Sequence, residues 1–400
     1  MDEATRRRTL TLLAGASLLA MSPWFSGTVV LPELTRLWQT DISATAWLTM
    51  AVQLGFVGGG LLSALFNLPD RFSPIRVLVM SSVAAAGVNG AFAFVAAEHV
   101  GLALVLRFLT GAFLAGVYPP GMKILAGWFR EGRGTALGIL VGALTVGSAL
   151  PHAVQATGEL PWRAVVLSCS VFALLAAALV GWGVREGPYS APPQPVDFRQ
   201  VQAVLRNRPV RLANLGYLGH MWELYSMWGW IALLLGASAG GPGRAVAASS
   251  FLAIAIGAVG CVWAGRASDS GPGNPGSWRV ARRARVTIVA MAVSGVCCLL
   301  AALVFEHFWW LVAVCLVWGI AVVADSAQFS TIISEVSDHR YVGTALTVQT
   351  VLGFLLTVVS LRVVGAIGAA YGWQWAAASM AAGPALGILA MRRLEDRPDD

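Results

Sequence analysis

Three ionisable residues stand inside long apolar runs of this chain: His220 and Glu223 in Gly219-His220-Met221-Trp222-Glu223-Leu224-Tyr225, and Asp325 in Ala324-Asp325-Ser326-Ala327-Gln328. On a helix, a spacing of three puts His220 and Glu223 on one face. They fall about ten to thirteen residues into their run, or roughly 15–20 Å along a helix axis. An imidazole and a carboxyl so placed can pass a proton between them, which is the chemistry that proton coupling requires. The plainer reading is a static hydrogen-bonded pair that ties one helix to its neighbour. Ser326 and Gln328 make the stretch around Asp325 polar, which suits the wall of a wet cavity; the alternative there is an Asp held by a serine or by an arginine of another helix.

The basic candidates lie in a second segment. Arg107 is followed by Tyr118-Pro119-Pro120-Gly121-Met122-Lys123. Two adjacent prolines remove backbone donors and break or kink a helix, and within a membrane the freed carbonyls are tolerated only beside protein or a water-filled cavity. Lys123 is the single lysine among 27 basic residues. Its compact charge suits a contact to a substrate or a proton, whereas snorkelling toward an interface is the alternative. Tyr118, Trp24, Trp222, Tyr225 and Gln328 are expected to shape a binding pocket, with Trp24 and Trp222 at its centre. With 16 tryptophans in all, most are expected as anchors at the membrane surface.

What positions these residues follows from composition. The chain has 400 residues, 57% hydrophobic and 12% charged, about half the charge of an ordinary soluble domain. Its apolar runs are about 20 residues long, enough to cross a bilayer as helices, and they lack the two-residue alternation of barrel strands. Twelve spans are expected, at about 9–31, 44–66, 75–97, 100–127, 134–157, 162–185, 211–236, 245–267, 285–305, 307–332, 343–368 and 372–392. The Pro- and Arg-rich stretch 186–210 separates them into bundles 1–185 and 211–400. The apolar stretch after Arg6-Arg7-Arg8 continues to Leu31, too long for a cleaved leader. With the N-terminus inside, all but five of the 27 basic residues (Arg36, Arg107, Arg163, Arg244 and Arg362) fall on the cytoplasmic side. That is the positive-inside pattern. It accounts for the net charge of +7 without a nucleic acid and places both termini in the cytoplasm.

All five cysteines fall in apolar runs, so no disulfide framework or zinc site is expected. No metal or other cofactor is expected either. The chain lacks His-Glu-x-x-His and a nucleotide-binding loop, which argues against a metal-dependent hydrolase or a primary pump.

The halves echo one another. Arg133-Gly134-Thr135-Ala136-Leu137 opens the fifth span and Val342-Gly343-Thr344-Ala345-Leu346 the eleventh, with Trp162 and Trp373 following. This order implies an internal duplication, which aligns Gly116 with Asp325 and Ser22–Ser26 with the segment around Trp222.

At three places the chain resembles the major facilitator superfamily. Leu68-Pro69-Asp70-Arg71-Phe72-Ser73-Pro74-Ile75-Arg76 is a degenerate form of that family's Gly-x-x-x-Asp-Arg-x-Gly-Arg loop. Gly265-Arg266-Ala267-Ser268-Asp269, continuing to Arg282-Arg283, is its second-half counterpart, and Arg107-x-x-x-Gly111 is similar to the family's intramembrane motif. Some likeness to nitrate and nitrite porters exists, but their arginines in the middle of the second and eighth spans are missing.

The resemblance implies an all-α membrane protein, twelve helices in two pseudo-symmetric six-helix bundles, with a cavity lined by the first, fourth, seventh and tenth. It implies gating by Asp70, Arg71, Arg76, Gly265, Arg266 and Asp269, and a cavity organised by Arg107. The expected protein is a monomeric secondary transporter in the bacterial inner membrane, with protons, a small solute and lipid as its partners. Glu223, His220 and Asp325 would carry protons, and Arg107 and Lys123 would favour an anionic or zwitterionic substrate. Proton-driven efflux of cationic or lipophilic compounds is the rival, and a sensor that keeps the fold without flux is a third possibility.

Overall fold

The computed structural model describes residues 3–41, 46–66, 68–129, 132–158, 160–189, 201–269, 277–338 and 342–395, and these are helical with no strand. Twelve crossing elements run in order. The first six are α1 (Glu3–Ala20 and Pro23–Val29), α2 (Trp47–Leu65), α3 (Pro74–Val95), α4 (Val100–Leu114 and Tyr118–Ala126), α5 (Arg133–Ala156) and α6 (Trp162–Gly183). The second six are α7 (Arg208–Ser238), α8 (Arg244–Ala255 and Gly257–Asp269), α9 (Ser277–Leu303), α10 (Phe308–Ala324 and Ser326–Val336), α11 (Val342–Tyr371) and α12 (Trp373–Met380 and Ala382–Glu395).

Ten of them are long and apolar enough to cross a membrane by length and composition among the described residues. The other two are α7, which carries Arg208, Arg211, Asn214, His220 and Glu223, and α12, which is interrupted at Ala381. Apolar side chains cover the outside, as the lipid-facing surface of a bundle requires; Trp182, for example, is 91% exposed.

Helices α1 to α6 pack among themselves, chiefly α2 on α4, α3 on α6, and α1 on α5 and α6. Helices α7 to α12 do likewise, chiefly α7 on α11 and α12, and α9 on α10 and α12. The two sets meet where α5 lies along α8 and α2 along α11.

Glycines allow the close approaches. A Cβ on Gly55 would sit 2.7 Å from the Phe108 carbonyl carbon, and one on Gly142 would sit 3.2 Å from the Ala258 Cβ. Small residues at helix contacts are how membrane helices gain packing without a hydrophobic force between them.

One end of the bundle gathers the basic clusters and both described chain ends, and is called the basic end below. Here Arg6 lies over the Phe129 ring at 5.1 Å, Trp128 Nε1 donates to Arg185 O at 2.9 Å and Arg285 pairs with Glu395. Residues 186–189 pack on the first set, with Ser73 bonded to Glu186 and Tyr189 N to Gly127 O. The short helix Val201–Arg206 packs on α7 and α11.

Candidate functional site

The helix breaks place the polar groups. In α10 the helix stops at Ala324 and restarts at Ser326, so Asp325 stands at the interruption. From α7, His220 Nδ1 approaches Asp325 Oδ1 to 2.8 Å. The approach lies outside hydrogen-bond angles, so Oδ1 has no hydrogen-bond partner. The other imidazole nitrogen, Nε2, lies 2.9 Å from Ser326 Oγ.

One turn further along α7, the Glu223 carboxylate accepts from Trp318 Nε1 at 2.6 Å, Ser294 Oγ at 2.9 Å and Cys298 Sγ at 3.2 Å. All three ionisable groups are buried to within 2%. Insertion of such groups into a membrane costs about 2.5–3.5 kcal/mol each for Asp, Lys or Arg at a helix centre. The three groups singled out in the sequence lie on α7 and at the α10 break, but the donors around Glu223, Ser294 and Cys298 on α9 and Trp318 on α10, carry no spacing that links them to it.

Nearer the basic end, Gln328 is held by Arg283, which the sequence places at the end of the second-half loop motif rather than inside the bundle. Arg283 of α9 donates to Gln328 Oε1 at 2.9 Å and to Glu335 at 3.2 Å, while Gln328 Nε2 donates to Ala264 O at 3.4 Å. Helix α9 begins at Ser277, eight residues before the expected start at 285, which draws Arg283 into the bundle.

In the first half, Arg107 is entirely buried. Its guanidinium donates to Trp24 O at 2.5 Å, Pro23 O at 3.0 Å, Asn89 Oδ1 at 3.0 Å and Ser26 Oγ at 3.2 Å, and lies over the Phe92 ring at 5.5 Å. Asn89 extends the network by donating to Val166 O and Ser170 Oγ. Here α1 is broken between Ala20 and Pro23. Pro23 has no N–H for the Leu19 carbonyl, which instead accepts from Ser22 Oγ at 2.8 Å. Arg107 thus holds the interrupted α1 against α3 and α4 with its fork engaged by protein acceptors. Asn89 and Ser26 were not foreseen; a lone Asn in an apolar run was the only signal.

Between the halves, mid-span, six rings touch in a chain: Trp24 and Phe25 of α1, Phe56 of α2, Tyr225 and Trp228 of α7, and Phe354 of α11. Trp24 and Phe56 are 4.9 Å apart, Phe56 and Phe354 4.5 Å, Tyr225 and Phe354 5.2 Å, and Phe25 and Trp228 5.9 Å. The expected pairing of Trp24 with Trp222 does not form. Trp222 turns toward α12, where a Cβ on Gly383 would meet its Cδ1 at 2.8 Å; Trp24 meets Tyr225 instead, at 5.9 Å.

Tyr118 opens the second segment of α4 and is half-buried, as is Lys123 a turn and a half nearer the basic end. Of the expected gating residues, Gly265 packs on α5 across the α5–α8 contact, where a Cβ on it would lie 2.8 Å from Gly134 O. Arg71, Arg76 and Arg266 are exposed at the basic end, and the side chains of Asp70 and Asp269 lie outside the described ones.

Buried carboxyls and an arginine inside a bundle of twelve lipid-faced helices, in two sets joined along α5–α8 and α2–α11, define a multi-pass membrane protein of transporter architecture. The Major Facilitator Superfamily model matches residues 12–359, and the chain belongs to that family. A solved structure of a bacterial homolog of the human lysosomal transporter Spinster, in an inward-facing and unoccupied conformation, is similar over 100% of both chains with a TM-score of 0.72 at 15% identity. No curated protein matches. Family and fold together make this protein a transporter of solutes across a membrane.

Proposed function

We propose that this protein is a proton-coupled secondary transporter of a small solute, working by alternating access in the bacterial inner membrane with its basic end and both termini in the cytoplasm. One observation carries the coupling: the His220–Asp325 approach at 2.8 Å, with Glu223 one helical turn on, all within the second half. Among the described residues these groups are met by neutral donors and by one another, the setting that a proton-carrying role requires. Each sits on or beside a helix that must shift as the halves reorient, and a change of neighbours is what makes protonation depend on the access state. The orientation rests on the distribution of basic residues.

The anionic or zwitterionic substrate expected from the sequence rests on Arg107 and Lys123. Arg107 is engaged by α1 and Asn89, so a substrate anion would have to compete with those acceptors for it. The rival, efflux of cationic or lipophilic compounds, draws support from the six-ring layer between the halves.

The test uses proteoliposomes that enclose a pH-sensitive dye and receive neutral, anionic and cationic solutes in turn. A transported solute changes the lumenal pH in the wild type, alkaline or acid according to the direction of coupling. Glu223→Gln and Asp325→Asn abolish that pH change while leaving solute exchange across the bilayer. Solute movement with no pH change in the wild type between pH 5.5 and 8 would sink the coupling.

A further inference from the structure

The ring layer contains polar groups that its own packing does not use. Trp24 Nε1, Trp228 Nε1 and both amide atoms of Gln53 are buried without a hydrogen-bond partner, and the three residues are 0–2% exposed. Trp24 and Trp228 are themselves members of the layer.

Gln53 belongs to the same face of α2. Gly55 and Gly59 turn toward α4, against Phe108 and Ala112, which leaves Gln53 on the opposite side of α2 with Thr49 beside it. Thr49 is bonded to Thr28 of α1 at 2.7 Å, and Phe56 touches Trp24 and Phe354. Gln53 therefore sits between two contacts that α2 makes with α1 and α11.

A buried donor or acceptor left unmade is costly, and phenylalanine or leucine would fill these positions without that cost. Natural interiors satisfy such groups unless another use retains them. The charges, in contrast, face elsewhere. Arg107 is bonded into α1 and α3, Glu223 into α9 and α10, and none of the cation–ring contacts among the described residues falls on the six rings.

We propose that Trp24, Gln53 and Trp228 are the recognition groups for an uncharged solute, a flat apolar body bearing carbonyl or hydroxyl oxygens. When the halves part, its ring is taken between the aromatic side chains. Its oxygens accept from the two indole N–H groups and the Gln53 amide, and a donor on the solute is met by Gln53 Oε1. This rests on the transporter reading and gives it a substrate class.

Three probes of one shape separate the charge classes: benzamide, benzoate and benzylamine, each titrated at pH 7 against the melting temperature of the detergent-purified protein. Benzamide raises it by several degrees in a saturable way, and the charged probes raise it far less, since a ligand that binds only the folded state stabilises by mass action. Gln53→Leu and Trp228→Phe each melt at or above the wild-type temperature without ligand and lose most of the benzamide shift. A merely structural role predicts the opposite, a lowered melting temperature and an unchanged shift. A larger shift with benzoate or benzylamine, no shift with any of the three, or a benzamide shift that survives both substitutions overturns the assignment. The lumenal pH assay is independent of these outcomes, so the substrate class can fail while proton coupling stands, or the reverse.

Discussion

At the residue scale the sharpest question concerns Arg107. A guanidinium in an apolar run invites an anion, yet here its two terminal nitrogens are bonded to Pro23 O, Trp24 O, Asn89 Oδ1 and Ser26 Oγ, while Nε lies against Gly27 without an acceptor. Removing it takes a charged donor from each of these buried acceptors, although Pro23 O and Asn89 Oδ1 keep the Ser26 hydroxyl, and a hydrogen bond to a charged group contributes about 1.5–3 kcal/mol. Arg107→Ala is therefore expected to lower the melting temperature of the ligand-free protein by many degrees and to cut its yield, with Arg107→Lys recovering part. An arginine serving only as a substrate ligand predicts an unchanged ligand-free melting temperature and a lost ligand response.

His152 raises a question of the same kind. Beside Pro151 toward the end opposite the basic one, where water is one reading of its surroundings, it is 1% exposed with both ring nitrogens unpaired. Sequence alone marked which residues were costly to bury. It did not mark their partners, because Ser294, Cys298, Trp318 and Asn89 are ordinary in composition and are brought to the site only by packing between distant spans.

At the element scale the spans were largely legible, since an apolar run and a bilayer set the same length. Helix α4 falls at 100–126 against an expected 100–127, and α6 at 162–183 against 162–185. The misses lie at the basic end, where α1 begins at Glu3 rather than 9 and α9 at Ser277 rather than 285. Arginines continue a helix readily, but hydropathy ends where the charges begin. The duplication was legible in part. The aligned positions Gly116 and Asp325 both fall at helix breaks, in α4 and α10, whereas α1 breaks at Met21–Ser22 and α7 runs unbroken.

Glycines give the elements a direct test. A Cβ on Gly55 meets the backbone of α4, 2.7 Å from the Phe108 carbonyl carbon, whereas one on Gly60 meets nothing within 4 Å. Gly55→Ala is expected to destabilise by about 1–3 kcal/mol, as overpacking does, and Gly60→Ala to leave the melting temperature unchanged or slightly raised. Equal effects at the two positions would mean that α2 and α4 do not pack this closely.

At the scale of the whole molecule, the contact between the halves along α5 and α8 is closed over its length. It runs from Gly265 against Gly134 O at the basic end, through Gly142 against Ala258, to Arg244 Nη2 bonded to Thr157 O at the other, at 3.2 Å. Alternating access requires rigid halves to rock so that one end parts while the middle stays in contact. The ends and the middle of this seam should then respond differently to a covalent tether.

At the basic end a Cβ on Gly265 lies 3.3 Å from the Thr135 Cα, and in the middle a Cβ on Gly142 lies 3.2 Å from the Ala258 Cβ. The second is near the roughly 3.5–4.5 Å between Cβ atoms that a disulfide needs, and the first brings the two backbones close enough for one. With the five native cysteines, all buried and free, replaced by serine or alanine, the pair Thr135→Cys and Gly265→Cys is expected to stop transport on oxidation and to recover fully on reduction. The pair Gly142→Cys and Ala258→Cys, at the pivot, is expected to keep a substantial part of the rate when oxidised. The measurement is uptake before and after oxidant and reductant, with cross-linking followed by thiol labelling. If the end pair cross-links completely and transport continues at the wild-type rate, the basic end of α5 and α8 does not open, and the cycle must run through α2 and α11 alone. If the middle pair stops transport as completely as the end pair, the seam separates as a unit and the rocking geometry is wrong for this chain.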